Sequence, residues 1–348
     1  MLRALLIRAV AVFIVVAGLL GFSEVFLRLQ HYVKLDGFDH ESPWNKVLHH
    51  GKGKFVVREY GSDCNGKKIK LLLLGDSWME DEVLSNEIGQ DLAQDSNRCV
   101  ESVNGGNSSY APTIYMLKAR EAYEKYGQFD AIVVNIDETD IGDEWVRYRI
   151  PKVRDESGEV VAVPYGRDVH SEYLWNGKLW AEDSILYSVR LLKFAFYYKV
   201  LVPMFYQLTY REDYSTLMRY VFAPDARTKY KKAEQYFRDR LLEMTNELTG
   251  YTTAPGSVYV THHPHRRGFV DQVRDGHRYL PIVSKDLAWL KKQTGVSVLD
   301  ARRHIKEIQG DDLLTNTYQK GDPFSHLAPE GAVRYGRWIA SQIDPEHG

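Results

Sequence analysis

The stretch Leu71-Leu72-Leu73-Leu74-Gly75-Asp76-Ser77 is an apolar run that ends abruptly at a glycine. A short apolar run followed by turn residues predicts a strand that is buried on both faces. Ser77 then stands at the carboxyl end of that strand, where open α/β sheets bind their ligands. Its backbone N–H also begins the next helix, where it can help to hold an oxyanion. The stretch therefore predicts a parallel sheet with Ser77 as a nucleophile.

Further short apolar runs follow along the chain and alternate with helical patterns. Helix formers fill residues 82–94 and 113–126, between the first three runs. Buried strands that alternate with helices predict an α/β domain whose parallel sheet is covered by helices on both faces. The predicted strands are Ile69–Leu74, Cys99–Val103, Ala131–Ile136, Ser257–Thr261 and Val296–Leu299.

A long segment, from about residue 145 to residue 250, interrupts this alternation. It predicts an insertion between the third and fourth strands, packed over one edge of the sheet. A charged, turn-rich part comes first, and the aromatic stretch SILYSVRLLKFAFYYKVLVPMFYQL follows. Arg190, Lys193 and Lys199 interrupt its apolar residues, which favours a lid or a helical core over a second membrane contact. Both interpretations stay open on sequence alone.

The N-terminus carries Arg3 and Arg8, followed by an uncharged run that reaches residue 23. This layout is typical of a secretory signal or of a signal anchor. We expect an uncleaved transmembrane helix with its positive end in the cytoplasm, which places the domain outside the cytoplasm, in the periplasm or cell envelope. Cleavage near Gly21-Phe22-Ser23 and a buried core helix are the alternatives. The predicted boundaries are 1–27 for the anchor, 28–66 for a linker leading into the domain, and 67–345 for the domain with its insertion.

Charge and cysteine content limit the expected partners and the expected cellular compartment. The formal net charge of -2 leaves no basic surplus to neutralise phosphates, so nucleic acid is not an expected partner. The sequence has 23 tyrosines, which suit both stacking on sugar rings and ordinary packing. Cys64 and Cys99 precede two strands that we expect to be neighbours, within reach of a disulfide in an oxidising compartment. Two separate thiols are the alternative.

A second chemical motif lies near the C-terminus, where Asp322 precedes His326 by four residues. A histidine just ahead of the terminal helix can turn its ring toward Ser77 and act as general base. A nearby carboxylate can fix the tautomer of the imidazole and stabilise the imidazolium. We therefore predict a catalytic triad of Ser77, His326 and Asp322.

With these motifs, residues 66–345 apart from the insertion resemble the SGNH hydrolase family. Gly75-Asp76-Ser77 is similar to the nucleophile block, and Asp322 with His326 is similar to the closing block. Ser102–Tyr110 and Asn135–Asp140 look like the two middle blocks. The resemblance implies a three-layer α/β/α fold with a flavodoxin-like parallel sheet, an esterase or acyltransferase activity, and no metal or organic cofactor.

The resemblance also implies an oxyanion hole, and here the sequence departs from the family. Such enzymes use the N–H of the serine, a backbone N–H of the second block and an asparagine side chain of the third. Ser109 replaces a glycine in the second block, and Thr139 replaces the asparagine. The side chain of Asn104 or Asn107 is a candidate to replace the lost amide donor. The closing block has three residues between Asp322 and His326, where two are usual.

Other polar and aromatic residues border the predicted site. His262, His263 and His265 follow the fourth strand, but no carboxylate or cysteine stands at a recognised metal-binding spacing. They predict a loop at the rim of the site, either touching substrate or merely polar. Asp76 and Trp78 flank the nucleophile, and Trp78 suits either a pocket wall or the core.

Export and the family resemblance together suggest removal or transfer of an acyl group, such as acetyl, on a cell-envelope carbohydrate. This substrate class follows from compartment and analogy, since no motif specifies it. One alternative is a lipid-directed esterase or thioesterase with the same triad. The other is a catalytically inactive glycan-binding or scaffold module of polysaccharide assembly.

Overall fold

The chain folds as an α/β protein around a mostly parallel sheet, as seen in a computed structural model. It divides into two compact units, of which one comprises residues 1–46 and 168–212 and the other residues 47–167 and 213–348. The structure describes residues 8, 10–16, 18–19, 21–22, 24–25, 55–61, 64, 68–108, 110–149, 153–163, 187–196, 200, 227–254, 256–266, 282–309, 317–320 and 326–344.

The larger unit contains a six-stranded sheet. Its strands are β1 (Val56–Tyr60), β2 (Ile69–Leu74), β3 (Val100–Asn104), β4 (Ala131–Asn135), β7 (Val258–His262) and β8 (Ser297–Asp300), in the order β1-β3-β2-β4-β7-β8. The edge strand β1 is antiparallel to β3, and the other pairs are parallel. Without β1, the order along the chain is 2-1-3-4-5, which is the order of flavodoxin-like folds.

Helices connect the strands. They are α1 (Ser77–Glu80), α2 (Glu82–Ser96), α3 (Pro112–Tyr126), α4 (Asp140–Gly142), a π-helical segment (Asp143–Tyr148), α5 (Tyr187–Phe196), α6 (Arg227–Thr249), α7 (Ile282–Thr294), a 3-10 turn (Ala301–Arg303), α8 (Ile305–Gln309) and α9 (Pro329–Ala340). A small antiparallel hairpin joins β5 (Val153–Arg154) to β6 (Val160–Ala162).

The central strands are buried on both faces, as their continuous apolar sequences predict. Leu71 and Leu73 of β2 point into a core that α2 and α9 complete, with Leu84 and Ile339 among its members. The alternate residues, Leu72 among them, are just as buried, because side chains of a strand point to opposite faces. Helix α6 contacts both α3 and α7 in a second group. The result is an α/β fold with a mostly parallel central sheet and helices packed against it.

The structure places elements of the sheet-bearing unit within two of the predicted segments. The linker prediction for 28–66 missed β1, which pairs with β3 along its whole length from Val56–Asn104 to Tyr60–Val100. The insertion prediction for 145–250 included α6, which in fact packs on α3, α7 and β7 as a crossover helix of the sheet. The many charged residues of α6 obscure its apolar face in the sequence, although Phe237 and Leu241 on that face are fully buried.

Cys64 and Cys99 form a disulfide, which decides between the two alternatives that the sequence left open. Cys99 immediately precedes β3, and the N–H of Ile69 at the start of β2 donates to its carbonyl oxygen at 2.8 Å. The bridge therefore lies at the amino-terminal end of the strands, opposite to Ser77.

The smaller unit contains the N-terminal helical residues between 8 and 25, together with α5. Among the described residues, no helix combines the length and apolar character needed to cross a bilayer. The prediction of a transmembrane anchor over 1–27 therefore remains a prediction.

Candidate functional site

Ser77 and His326 meet at the carboxyl end of the sheet. The Oγ atom of Ser77 lies 2.8 Å from Nε2 of His326, which is hydrogen-bonding distance across 249 residues of sequence. Both side chains are partly exposed, although Asp76 and Trp78, next to the serine, are buried. The pairing of a hydroxyl with an imidazole nitrogen is the first requirement for general-base activation of a serine.

The turn before α1 holds Ser77 in place. Asp76 caps the helix, because its Oδ1 accepts a hydrogen bond of 3.0 Å from the N–H of Trp78. Its Oδ2 lies 3.4 Å from the Ser77 hydroxyl. Gly75 leaves room for the turn, since a Cβ there would lie 2.7 Å from Cβ of Met79. Asp76 is thus a buried capping residue.

A short antiparallel bridge ahead of α9 fixes His326. The carbonyl oxygen of His326 accepts a hydrogen bond of 2.9 Å from the N–H of Gln319. The N–H of Ala328 donates to the carbonyl of Thr317 at 2.8 Å. The hydroxyl of Tyr318, on the same bridge, donates to the carbonyl of Pro264 at 2.7 Å. The histidine is therefore tied to the loop that follows β7.

The loop after β3 packs under α1. The amide of Asn104 donates to the carbonyl of Met79, and its Oδ1 accepts from the N–H of Gly106, both at 2.8 Å. The N–H of Asn107 donates to the carbonyl of Gly75 at 3.1 Å. Asn104 and Asn107 are both buried. Asn104 therefore braces the nucleophile turn, and the backbone of Asn107 holds Gly75.

The loop after β4, the strand next to β2, contains Thr139. Its backbone N–H donates to Oδ1 of Asp137, and its side chain remains partly exposed ahead of α4. Asp140 fixes the loop, because its Oδ2 accepts from the N–H of Asp137 at 3.2 Å and from the hydroxyl of Tyr115 at 3.0 Å. Asp140 therefore organises the loop.

A buried ion pair lies behind these loops. His265 Nε2 donates to Oδ2 of Asp137 at 2.6 Å, and both residues are at most 5% exposed. Burial lowers the pKa of His265, but the charges of Asp137 and Glu138 outweigh it and raise the pKa to about 9. Burial would raise the pKa of Asp137, but the charge of His265 and the hydrogen bonds from His265 and Thr139 lower it.

Trp78 lies in the core and links this pair to the nucleophile turn. Its ring stacks on the imidazole of His265, with centroids 5.7 Å apart and planes tilted by 11°. On another side it contacts His263, with centroids 5.4 Å apart. Of the two roles that the sequence allowed for Trp78, the structure favours the core.

The histidine-rich loop after β7 is buried and engaged in hydrogen bonds. His262 Nδ1 lies 3.0 Å from the carbonyl of Ile136, and His263 Nδ1 lies 3.0 Å from the carbonyl of Pro264. Burial lowers the pKa of both histidines, that of His263 to about 3. In the described part of the chain, the side-chain groupings close enough to share a metal ion do not include these histidines.

One such grouping does lie beside Ser77 and consists of the three buried aspartates 76, 137 and 140. Burial, reinforced by the charge of Asp137, raises the pKa of Asp76 well above its ordinary value. Burial, reinforced by Asp76 and Asp137, does the same for Asp140. The third carboxylate, Asp137, has the imidazolium of His265 as its counter-charge. The raised pKa values of Asp76 and Asp140 favour their neutral forms, and the imidazolium of His265 offsets the charge of Asp137.

Known proteins match this chain only at low sequence identity and low TM-score. No protein-family profile and no curated protein matches the sequence. Among solved structures, the chain is similar to the Bacillus subtilis protein YxiM, with 12% identity and a TM-score of 0.38 over 80% of this chain and 56% of that one. It thus spans little more than half the length of that protein.

Two enzymes give similar values. LAE5, an alpha/beta hydrolase from the metagenome of Lake Arreo, has 11% identity and a TM-score of 0.39, with 79% of this chain and 95% of that one covered. The acetyl xylan esterase AlAXEase has 10% identity and a TM-score of 0.38, with 79% and 100% covered. At such low identity, the function of this chain has to be inferred from its own side chains.

Of the residues singled out from the sequence, the structure brings together Ser77 and His326 and places Thr139 at the surface of a neighbouring loop. Asp322 and Ser109 lie outside the described residues, so the carboxylate partner of His326 and the second backbone donor remain predictions. The Asp137–His265 pair was missed. Its signal was available, because the two residues follow strands β4 and β7, which pair in parallel and therefore end at the same edge.

Proposed function

We propose that this chain is a serine esterase or O-acyltransferase of the SGNH type. The observation that carries the proposal is the distance of 2.8 Å between Ser77 Oγ and His326 Nε2 at the carboxyl end of β2. A hydroxyl on a tight strand-to-helix turn, with an imidazole as its partner, is the arrangement that activates serine as a nucleophile.

The first half of the reaction acylates the serine. Ser77 Oγ attacks the carbonyl carbon of the ester, and its proton passes to Nε2 of His326. The tetrahedral intermediate collapses when the C–O bond to the alcohol breaks, and His326 returns the proton to the departing oxygen. We assign Asp322 to the other ring nitrogen of His326, where a carboxylate fixes the tautomer.

The negative oxygen of the intermediate needs donors that already point toward it. The N–H of Ser77 lies in the first turn of α1, where a helix has no internal acceptor for it. We assign the second donor to the partly exposed Thr139 hydroxyl and the third to the N–H of Ser109. Loss of one such donor typically lowers kcat by roughly 10²–10³-fold, so a hydroxyl in place of an amide suggests a modest rate.

The second half of the reaction releases the acyl group to water or to a hydroxyl of an acceptor. His326 again serves as base, and no metal or organic cofactor is needed. We propose acyl esters of an extracytoplasmic carbohydrate, with acetyl as the acyl group, and a chain held at the membrane by its N-terminal helix. The signal-anchor layout of residues 1–27 and the Cys64–Cys99 disulfide support a compartment outside the cytoplasm.

Two alternatives differ in chemistry. A catalytically inactive glycan-binding module has no use for a serine hydroxyl held against an imidazole, so the Ser77–His326 contact favours an enzyme. A lipid-directed esterase uses the same triad and differs in the acyl chain that it accepts.

Covalent labelling with a fluorophosphonate tests the activation of Ser77. We expect the full-length chain to be labelled, and Ser77→Ala to abolish the labelling because the attacking oxygen is gone. His326→Ala should slow the labelling by roughly 10²–10⁴-fold, the usual contribution of a general base. The readout is the rate of probe incorporation, measured by in-gel fluorescence.

Matched controls guard against unfolding. Ser108→Ala removes a partly exposed serine of the neighbouring loop, and His304→Ala removes an exposed histidine beside Trp338. Both variants should be labelled at the wild-type rate. A folded wild-type chain that takes up no probe would refute the serine-enzyme proposal and support the glycan-binding alternative.

The acyl preference is a separate measurement. Nitrophenyl acetate and its long-chain homologues, together with acetylated oligosaccharides, are to be compared by kcat/KM. Faster turnover of acetyl esters supports the proposal, whereas a rate that rises with chain length would replace it with the lipid-directed alternative.

A further inference from the structure

Helix α5, in the smaller unit, presents an apolar stripe to solvent. Val189, Leu192 and Phe196 follow one another at intervals of three and four residues. Residues at this spacing share one face of a helix. All three are exposed, Leu192 to 71% and Phe196 to 50% of the side chain's full accessibility. Such a stripe normally packs against a core, and this one does not.

The N-terminal helix of the same unit is apolar and exposed on every side. Its described residues from Val10 to Val16 are all exposed, and they cover almost two full turns. Phe13 alone is 72% exposed. A helix that is hydrophobic all round is stable either inside a large core or in a bilayer. Among the described residues, most of this apolar surface is left exposed.

Glu24 ties the two helices together. Its Oε2 accepts a hydrogen bond of 2.8 Å from the N–H of Ser188 and one of 3.0 Å from the Ser188 hydroxyl. Ser188 lies in the first turn of α5, where backbone donors lack helical partners and a negative charge is favourable. The stripe therefore begins next to Glu24, near the last residues described in the N-terminal helix.

The charged residues of the α5 segment, from 187 to 200, are all basic. From Tyr187 to Val200 the sequence contains Arg190, Lys193 and Lys199 and no acidic residue. Basic residues beside an apolar helical face are typical of helices that lie in the interface of an anionic membrane. Ten residues of helix extend over only ~15 Å, which is about half of the ~30 Å hydrocarbon thickness. A surface orientation therefore fits α5 better than a spanning one.

We propose that α5 lies in the surface of an anionic lipid bilayer, with Val189, Leu192 and Phe196 facing the acyl chains. The occupant of the stripe is thus lipid and not a second copy of the chain. The proposal builds on the proposed membrane anchor and is independent of the ester chemistry. It also changes the preferred interpretation of this stretch, for which the sequence favoured a lid or a helical core.

A fluorescent label at position 192 tests the proposal in the full-length chain. Cys64 and Cys99 are both in the disulfide, so the thiol of a Leu192→Cys variant reacts alone under non-reducing conditions. The label is nitrobenzoxadiazole, and the vesicles contain phosphatidylcholine with or without phosphatidylglycerol. We expect the emission to shift to shorter wavelength and to be quenched by lipids with a nitroxide on the acyl chain. Both effects should increase with phosphatidylglycerol.

Two comparisons make the result specific. Glu124→Cys places the same label on an exposed position of α3 in the sheet-bearing unit, and it should remain unquenched. Glu24→Ala, combined with Leu192→Cys, should reduce the quenching at position 192 because the tie to Ser188 is lost. The rate of fluorophosphonate labelling of Ser77, measured on each variant, reports separately on the esterase proposal.

The outcomes are distinct. An emission at position 192 that stays water-like on both kinds of vesicle overturns the proposal. A blue shift that appears without lipid and grows with protein concentration also overturns it, since the occupant is then a second copy. Failure of fluorophosphonate labelling in the wild type sinks the esterase proposal but leaves the readout at position 192 intact.

Discussion

Two histidines of the larger unit have opposite environments. His326 is partly exposed and faces a neutral hydroxyl, as a base that must accept a proton requires. His265 is buried against Asp137, and its pKa is raised to about 9, so it is charged at neutral pH. A histidine held in one charge state cannot shuttle protons. His265 instead supports the site, through its stacking on Trp78 and through the hydrogen bond that Asp137 accepts from Thr139.

The pH dependence of stability should carry the signature of His265. Its pKa rises from an ordinary 6.5 to about 9 on folding, so the folded state binds the proton more tightly than the unfolded state. The stabilisation is complete below pH 6.5 and is lost as the pH rises through about 9. We expect the urea midpoint of the wild type to fall across this window. In His265→Gln, where the group cannot titrate, the fall should be much smaller.

His304→Gln is the matched control, because this histidine is exposed and pairs only with Glu307 and Trp338 in the described part of the chain. It should keep the wild-type slope of the urea midpoint against pH. An equal slope in His265→Gln and wild type would show that the Asp137–His265 pair is not linked to folding. Burial also raises the pKa of Glu138 from an ordinary 4.5 to about 7. Glu138 therefore adds a loss of stability as the pH rises from about 4.5 to about 7, before most of the loss due to His265.

At the scale of elements, α3 depends on a residue from outside the helix. Its N-cap position is Ala111, which has no side chain to accept a hydrogen bond. Glu144 of the π-helical segment takes that role, because its carboxylate accepts from the N–H of Thr113 at 2.9 Å and from the Thr113 hydroxyl. A negative charge at this end also suits the helix dipole.

Glu144→Gln should therefore destabilise the chain by about 1–3 kcal/mol, the cost of leaving a buried hydrogen-bonding group poorly satisfied. The measurement is the free energy of urea unfolding at neutral pH. Glu124→Gln, at an exposed position on the same helix, should leave stability nearly unchanged. Equal effects of the two substitutions would contradict the capping role of Glu144.

The five predicted strands agree with the observed ones to within one residue at each end, since short apolar runs bounded by turn residues are typical of buried strands. The predicted Cys99–Val103, for example, is observed as Val100–Asn104. β1 was missed because Val56 and Val57 are exposed on an edge strand with no apolar run. The residues of α6 were included in the predicted insertion because most of them are polar. Only the packing of α6 against α3 and α7 shows which face of the helix is buried.

At the scale of the whole molecule, the site depends on the packing of α9 against the rest of the domain. The hydroxyl of Tyr335 contacts Thr261 and donates to Asn135 at 3.0 Å, so α9 is joined to the ends of β7 and β4. His326 precedes this helix as Ser77 precedes α2, and α2 and α9 share one core. Displacing the start of α9 should therefore separate base from nucleophile.

Gly331→Ala is designed to cause that displacement. A Cβ at this position would lie 2.9 Å from Cα of Thr317, and backbone cannot rotate away as a flexible side chain can. Thr317 is part of the bridge that holds His326, so we expect fluorophosphonate labelling of Ser77 to slow by about tenfold or more. Overpacking of this kind should also cost roughly 1–3 kcal/mol of stability. The measurements are the labelling rate and the thermal midpoint.

Glu330→Ala changes the adjacent, exposed residue and should affect neither quantity strongly. A wild-type labelling rate in Gly331→Ala, with the expected loss of stability, would show that the bridge does not position His326.

The sequence by itself determined the α/β class, the strands of the central sheet and the two residues, Ser77 and His326, that the fold brings together. It could do so because a continuous apolar run and a serine at its end are local patterns, and burial on both faces follows from composition alone. Only the tertiary structure decided the Asp137–His265 pair, the core position of Trp78 and the exposed stripe of α5. These depend on which surfaces meet across the fold, and a side chain's charge state and exposure are set by neighbours that are distant in sequence.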